Sequence, residues 1–145
     1  MTTIDDIIMI AEQDGVSLVP LIDNNALNVE LDKLDKTGRE GYFIMLPTSL
    51  EDASGKYDDT LTTRIEIVAT SQTTLTASDV EDFHNVDKAA ASLIAQIRQL
   101  ITAISDTGRY DAVSRISYKV IPYRYDSLMT AVTATFNLTE FMPLC

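Results

Sequence analysis

Residues 78–105 carry a hydrophobic pattern that predicts one long amphipathic α-helix. The apolar side chains recur every three or four positions, which places them on one face of a helix. That face comprises Val86, Ala90, Leu93, Ile94, Ile97, Leu100, Ile101 and Ile104. Ser78 and Glu81 have the spacing of a capping box, and Gly108 follows the helix as a typical end. Because burying one aliphatic side chain contributes about 1.5–3 kcal/mol, this helix should pack on a broad apolar surface.

The first part of the chain predicts a short helix followed by two strands. The helix should end at Gly15. Residues 16–22 are apolar and β-branched, and Pro20 indicates an edge strand because proline cannot donate to a sheet ladder. After a turn at residues 23–25, residues 27–32 alternate apolar and polar side chains with a period of two. This alternation predicts a strand with one solvent-exposed face.

The remaining segments predict four more strands and one long loop. Residues 42–46 form a continuous apolar run, typical of a central strand covered on both faces or of a subunit contact. Residues 61–70 resume a strand pattern, and residues 113–120 and 128–138 alternate after the long helix. Residues 48–60 hold many carboxylates and few apolar side chains, so we expect a mobile surface loop there. We expect the last seven residues to form a tail.

This order of elements predicts an α+β fold. Strands and helices do not alternate regularly, which favours an antiparallel or mixed sheet with the helices gathered on one face. The long helix should pack across that sheet, together with the short N-terminal helix. A chain of 145 residues has the usual size of one domain, so residues 1–145 are expected to form a single domain.

Composition narrows the classes of function. The chain is 46% hydrophobic and 23% charged, which is typical of soluble globular proteins, and it has no apolar run long enough to span a membrane. The sequence lacks the basic n-region of a secretory signal. Cys145 is its one cysteine, so an internal disulfide is not expected. Its net charge of −11 repels a nucleic-acid backbone, so specific DNA binding is not expected. The charge is compatible with a channel through which DNA slides, although composition alone favours the simple solubility of an acidic domain.

No motif in the sequence indicates catalysis or a cofactor. His84 is the one histidine and is expected to face solvent or cap the helix, so neither a Ser–His–Asp arrangement nor an ordinary zinc site is indicated. The carboxylates of residues 48–60 lack the spacing of a calcium loop, and the glycine-rich phosphate motifs are absent from the sequence. We therefore predict a protein that is not an enzyme, without cofactor or metal.

Two groups of residues are candidates for an interface or for the lining of a channel. The first group is the charged part of the predicted loop: Glu51, Asp52, Lys56, Asp58 and Asp59. The second group follows the long helix and comprises Arg109, Tyr110, Tyr123, Arg124 and Tyr125. Tyrosine and arginine are enriched at interfaces because they offer large areas and planar hydrogen bonding. The alternative for the second group is a surface cluster without a function.

The element order and the segment Tyr-Asp-Ser-Leu-Met-Thr-Ala-Val at residues 125–132 resemble the small tail-terminator and tail-completion (head–tail connector) proteins of tailed phages. The resemblance implies a structural virion protein that is assembled in the host cytoplasm. It also implies that the subunits form a homo-oligomeric ring, which is expected to be a hexamer. Such a ring would contact other tail or neck proteins, and DNA would pass through it without specific binding. The alternative is a small acidic cytosolic binding or adaptor domain with no viral role.

Overall fold

The computed structural model describes residues 3–37, 40–54, 59–75, 78–111, 113, 115–123 and 128–142. In these residues three helices and a mixed six-stranded sheet form the α+β fold that the sequence predicts, with the long helix packed against the sheet and a short N-terminal helix. The elements are α1 (Thr3–Gln13), β1 (Leu18–Leu21), α2 (Asn24–Thr37), β2 (Gly41–Met45), β3 (Leu50–Ser54), β4 (Asp59–Gln72), α3 (Asp79–Asp106), β5 (Ile116–Tyr123) and β6 (Met129–Met142).

The sheet is built around two long strands, β4 and β6, of 14 residues each. They pair antiparallel along their whole length, from Asp59↔Met142 to Gln72↔Met129. On the other side of β4, β3 pairs with the first half of the strand and β2 with the second half. β1 adds to β2 in parallel, and β5 adds to β6 antiparallel. The strand order is therefore β1-β2-β4-β6-β5, with β3 beside the first half of β4.

One face of the sheet carries α1 and α3 and holds the larger core. The central strands contribute Ile65, Ile67, Ala69, Val132, Ala134, Phe136 and Leu138 to this core. From α3 come six of the eight predicted apolar residues, while Val86 and Ile94 are partly exposed. α1 adds Ile7, Ile10 and Ala11. The prediction that the stripe of α3 is a core face is confirmed.

The other face carries α2, where the sequence pattern predicted a strand. The Asp23 carboxylate accepts a hydrogen bond from the backbone N–H of Ala26 (2.9 Å), which starts a helix in place of a turn. Leu27 and Leu31 are buried against β2 and the start of β6, whereas Val29 is 54% exposed. The strand prediction for residues 27–32 is therefore wrong, because these leucines fit a helical period as well as an alternating one. The helices consequently lie on both faces and are not gathered on one.

The predicted mobile loop at residues 48–60 is also wrong where the structure describes it. Residues 50–54 form β3, and β4 begins at Asp59, with pairing from Leu50↔Thr63 to Ser54↔Asp59. The backbone N–H of Arg64 extends this pairing by donating to the Ser49 carbonyl (3.0 Å). The described side chains of β3 are exposed, so the sequence of this segment has no hydrophobic pattern that would predict a strand. The strand forms because its backbone pairs with β4. Residues 55–58 lie outside the described part.

Several smaller predictions can be compared with the structure directly. β1 is an edge strand that contains Pro20, and β2 is covered on both faces, as predicted. β5 continues through Pro122, which an edge strand tolerates. β6 reaches Met142, so residues 139–142 belong to the sheet and not to a tail. The carboxyl end of the chain at residues 143–145 lies outside the described residues.

The predicted helix ends are right, and the predicted capping box is not. Gly15 and Gly108 adopt positive φ angles of 84° and 74°, where glycine is favoured over residues with a Cβ atom. Ser78 is the N-cap of α3, but its hydroxyl makes no capping hydrogen bond. Its carbonyl instead accepts the backbone N–H of Asp82 (2.9 Å), which is the first helical hydrogen bond.

Candidate functional site

An apolar groove lies beside the first half of β4, between the ends of β1 and β2 and the start of β3. It has a volume of about 900 Å³ and is lined by residues of α1, of these four strands and of the segments that follow β1 and β2, and by Glu140 of β6. Ile22, Leu46 and Leu50 contribute to its walls and remain 72%, 56% and 57% exposed. Exposed apolar side chains that cluster in one concavity are typical of a surface that a partner covers. We call this surface the apolar groove.

The local sequence explains why these side chains stay outside the core. Ile22 follows the last residue of β1, and Leu46 follows the last residue of β2, so both lie past the end of the strand ladder. The backbone N–H of Leu46 still donates to the Leu21 carbonyl (2.9 Å), which holds the two strand ends together. Pro47 follows directly and lacks the N–H that would continue the pairing. The apolar run of β2 therefore extends one residue beyond the strand, to Leu46, whose side chain is exposed.

A buried polar cluster ties α1 to the end of α3 near this groove. Asp6, which is 5% exposed, accepts hydrogen bonds from Arg109 Nη1 (2.7 Å) and from the Tyr110 hydroxyl (2.5 Å) on its two carboxylate oxygens. Burial and the Asp6 carboxylate raise the pKa of Tyr110, so its hydroxyl remains a donor at a higher pH than that of an ordinary tyrosine. Glu140 lies beside this cluster: it bridges to Tyr110 in the sheet and accepts the Thr3 hydroxyl (3.2 Å).

This cluster corrects one predicted interface residue. Tyr110 is 7% exposed and contributes to the core, so it is a buried structural residue and not a surface contact. Arg109 is bound to Asp6, but half of its side chain is exposed to solvent. The signal for this pairing in the sequence was weak, because Asp6 and Tyr110 are 104 positions apart.

The other predicted residues are dispersed. Tyr123 ends β5 and is half-buried near α2, where burial raises the pKa of its hydroxyl. It pairs with Met129 at one end of β6, while Tyr110 pairs with Glu140 at the other end, so the two tyrosines do not form one cluster. Arg124 and Tyr125 lie outside the described residues.

The acidic candidates lie in β3 and at the start of β4, as far as the structure describes them. Glu51 and Asp52 are exposed on β3, and the backbone of Asp59 begins β4. Lys56, Asp58 and the side chain of Asp59 lie outside the described part of the chain. The described acidic residues are thus presented on an edge strand rather than on a loop.

Sequence analysis did not identify a polar cavity on the α2 face of the sheet. Arg64 on β4 lies opposite Asn137 on β6, and Arg115 just before β5 lines the same cavity of about 240 Å³. Both arginines are exposed, and within the described residues neither one forms an ion pair. The signal in the sequence was the alternation of Thr133, Thr135 and Asn137 in β6, which marks a face that is not buried in the core.

The first turns of α3 expose a further apolar surface. Val80 and Phe83 are 69% and 68% exposed, and the Phe83 ring meets the edge of His84 with ring centroids 5.6 Å apart. His84 is exposed, as expected from its position near the start of the helix. The Asn85 amide donates to the Thr74 carbonyl (2.9 Å), so this end of α3 lies near the end of β4.

The described residues contain no cluster of three or more metal-binding side chains. Among the described helices, none has the length and apolarity to cross a membrane. No known family model matches the chain, and a search of curated proteins finds no match. The arrangement of surfaces is therefore the basis on which a function is proposed.

Proposed function

We propose that this protein is a structural subunit of the head–tail region of a tailed phage, a tail terminator or a neck component that assembles as a ring around the DNA channel. The order of its elements supports this proposal: a short N-terminal helix, four strands with α2 between the first and the second, one long helix and two final strands. Apart from α2, this order resembles that of tail-terminator and connector proteins. The subunit would act by binding its neighbours, without catalysis.

The observation that carries the proposal is the placement of exposed apolar surfaces beside opposite halves of the long strands. β2 ends beside the middle of β4, with Ile44 opposite Ile67, and the apolar groove is lined by Leu61 and Thr63, so it lies beside the first half of β4. The exposed start of α3, with Val80 and Phe83, lies at the end where β4 finishes. A subunit that is covered above and below by other proteins would bury both surfaces.

The charge of the chain supports a role in DNA passage. Each Lys or Arg that neutralises a phosphate strengthens DNA binding by releasing counterions, and a chain with a net charge of −11 offers little of this gain. Exposed carboxylates such as Glu51 and Asp52 are candidates for the channel side of the ring or for contact with the next ring. The assembled protein should therefore let duplex DNA pass without holding it.

The proposal is tested by the mass of the assembled protein. Size-exclusion chromatography with light scattering should give a multiple of the 16.0 kDa subunit mass, and electron microscopy should show rings. A stable monomer at high concentration would contradict the proposal and favour the acidic adaptor domain, for which the apolar groove would be a peptide-binding site. Binding of wild-type protein to duplex DNA at physiological salt would contradict the passive channel.

A matched pair of variants connects the apolar groove to assembly. The double substitution of Ile22→Ser and Leu46→Ser removes two exposed apolar side chains from the groove and should weaken contacts with other tail or neck proteins. Val29→Ser serves as the control, because Val29 is as exposed as Leu46 but lies on α2. Equal stacking or partner binding by the two variants would exclude the groove from the interface.

A further inference from the structure

We propose that the subunits of this ring pair through two specific edge strands, β3 of one copy and β5 of the next, to form a continuous antiparallel sheet. The inference rests on the proposed function and adds which surfaces join the copies. Within the described chain, β3 pairs with β4 alone and β5 pairs with β6 alone. Each strand therefore presents a free row of backbone donors and acceptors to a partner.

The two edges carry opposite charges. The charged side chains of β3 are Glu51 and Asp52, and both are exposed. The charged side chains of residues 115–123 are Arg115 and Lys119, and both are also exposed. Like charges directly opposite each other destabilise a strand pair, and opposite charges stabilise it. Pairing of β3 with β3, or of β5 with β5, is therefore disfavoured relative to pairing of β3 with β5.

The direction of the strands agrees with this pairing. β3 and β6 both run antiparallel to β4, and β5 runs antiparallel to β6. When copies are related by rotation about an axis near the strand direction, β5 of one copy meets β3 of the next as an antiparallel neighbour. A contact between two different surfaces is heterologous, and such contacts close into rings when the rotation allows it.

The register also shows which side chains of the two edges share a face of the sheet. Leu50 lies opposite Thr63 on the α3 face of the sheet and is 57% exposed. Val120 lies opposite Val132 on the same face and is 41% exposed. Glu51 lies on the other face, which is also the face of Lys119. Asp52 lies opposite Leu61 and therefore on the α3 face. A pairing of β3 with β5 thus places Leu50 and Val120 on one face and Glu51 and Lys119 on the other, with Asp52 as an additional acidic side chain on the α3 face.

The two edges are staggered along the strands. β3 lies beside residues 59–63 of β4, whereas β5 lies beside the part of β6 that pairs with the second half of β4. Strands in closed sheets tilt by about 35–45° from the axis, which staggers each segment relative to the next. β1 pairs with β2 and does not extend beside β3, so the space next to β3 is free for a partner strand.

The hand of this stagger is the one that a closed sheet needs. Arg64 points to the α2 face, and its N–H donates towards β3. For L-residues, this places β3 at the left and β5 at the right when the sheet is viewed from the α3 face with β4 running upwards. Because the twist of sheets has a fixed hand, the strands of a closed barrel tilt to the right when the barrel is viewed from outside. Relative to a given strand, the next segment on its right is therefore displaced upwards along the strand direction. The high β5 edge then meets the low β3 edge of the next copy, with α3 on the outer side.

Two charge-reversed variants and their mixture test the pairing. The β3 variant combines Glu51→Lys with Asp52→Lys, and the β5 variant combines Arg115→Glu with Lys119→Glu. Each variant alone has two edges of like charge, so its assembly should need a concentration at least about tenfold higher than that of wild-type protein. A one-to-one mixture restores opposite charges at every contact and should assemble near the wild-type concentration, as measured by light scattering.

Controls separate this inference from the proposed function. Asp87→Lys with Asp106→Lys changes the net charge as much as the β3 variant, but on exposed positions of α3, and should leave assembly unchanged. Circular dichroism should show each variant folded, and amide exchange in wild-type rings should show protection of both β3 and β5. Wild-type rings without that protection, or variants that assemble alone like wild type, would overturn the pairing and leave the ring standing. A wild-type protein that stays monomeric would overturn both.

Discussion

The two faces of the sheet are built by the same strands but have different roles. On the α3 face, the side chains of Ile65, Ile67 and Ala134 are fully buried under a helix of 28 residues. On the α2 face, a helix of 14 residues covers the part of the sheet around Val68, and Arg64 remains exposed beyond it. Alternation along a strand supplies both faces, and the length of the covering helix decides how much of each face becomes core. The closed face, on the α3 side, holds the larger core, and the open face, on the α2 side, leaves a polar cavity accessible.

The largest expected effect is a cavity in the closed face. Leu93→Ala or Leu100→Ala, at positions that are 1% and 2% exposed, should lower the free energy of unfolding by about 2–5 kcal/mol. Urea denaturation monitored by circular dichroism measures this change. A loss of less than about 0.5 kcal/mol at both positions would show that this face of α3 is not a core face.

A smaller effect is expected from the polar cluster at the rim of the closed face. Tyr110→Phe removes the hydroxyl that donates to Asp6 and should lower the free energy of unfolding by about 1–3 kcal/mol at neutral pH. Tyr118→Phe is a matched control, because the buried Tyr118 hydroxyl has no hydrogen-bond partner in the described chain. Equal losses in the two variants would show that the bond to Asp6 contributes nothing specific.

The pKa of Tyr110 adds a pH dependence to the same comparison. Its folded pKa is raised above the ordinary value of 10.0, so its contribution to stability is complete below pH 10.0 and declines as the pH rises towards the folded pKa. Burial and Glu40 likewise raise the pKa of Tyr42 to about 12. Wild-type protein should therefore lose stability above pH 10.0, and Tyr110→Phe should lose less over that range. Parallel pH profiles would contradict this assignment.

The smallest effect is expected on the open face. Arg64→Gln removes a charge that has no ion pair within the described residues, so the free energy of unfolding should change by less than about 0.5 kcal/mol. Thermal unfolding of the isolated subunit measures it. A loss above about 1 kcal/mol would indicate that charge interactions of Arg64 stabilise the fold. The open face would then contribute to stability in spite of its exposure.

Much of the fold, and less of the candidate site, could be predicted from the sequence. The stripe of α3, the apolar run of β2 and the glycines at 15 and 108 are local signals, and the structure bears them out. The apolar groove was not predicted, because Ile22 and Leu46 look like core residues in sequence and become exposed only where their strands end. The open polar cavity was missed for a similar reason, since Arg64 and Arg115 meet only through β6.

The sequence by itself determined the α+β class, the strands that form the centre of the sheet and the long helix that covers it, because periodic burial is a local pattern. Tertiary structure decided what was ambiguous or distant. The spacing of Leu27 and Leu31 fits both a strand and a helix. The helix forms because it packs both leucines on the apolar face that β2 and β6 present. β3 exists because β4 offers it a partner, and Tyr110 is buried because Asp6 accepts its hydroxyl across 104 positions. Such long-range pairings leave no periodic trace in the chain, so only the folded structure shows them.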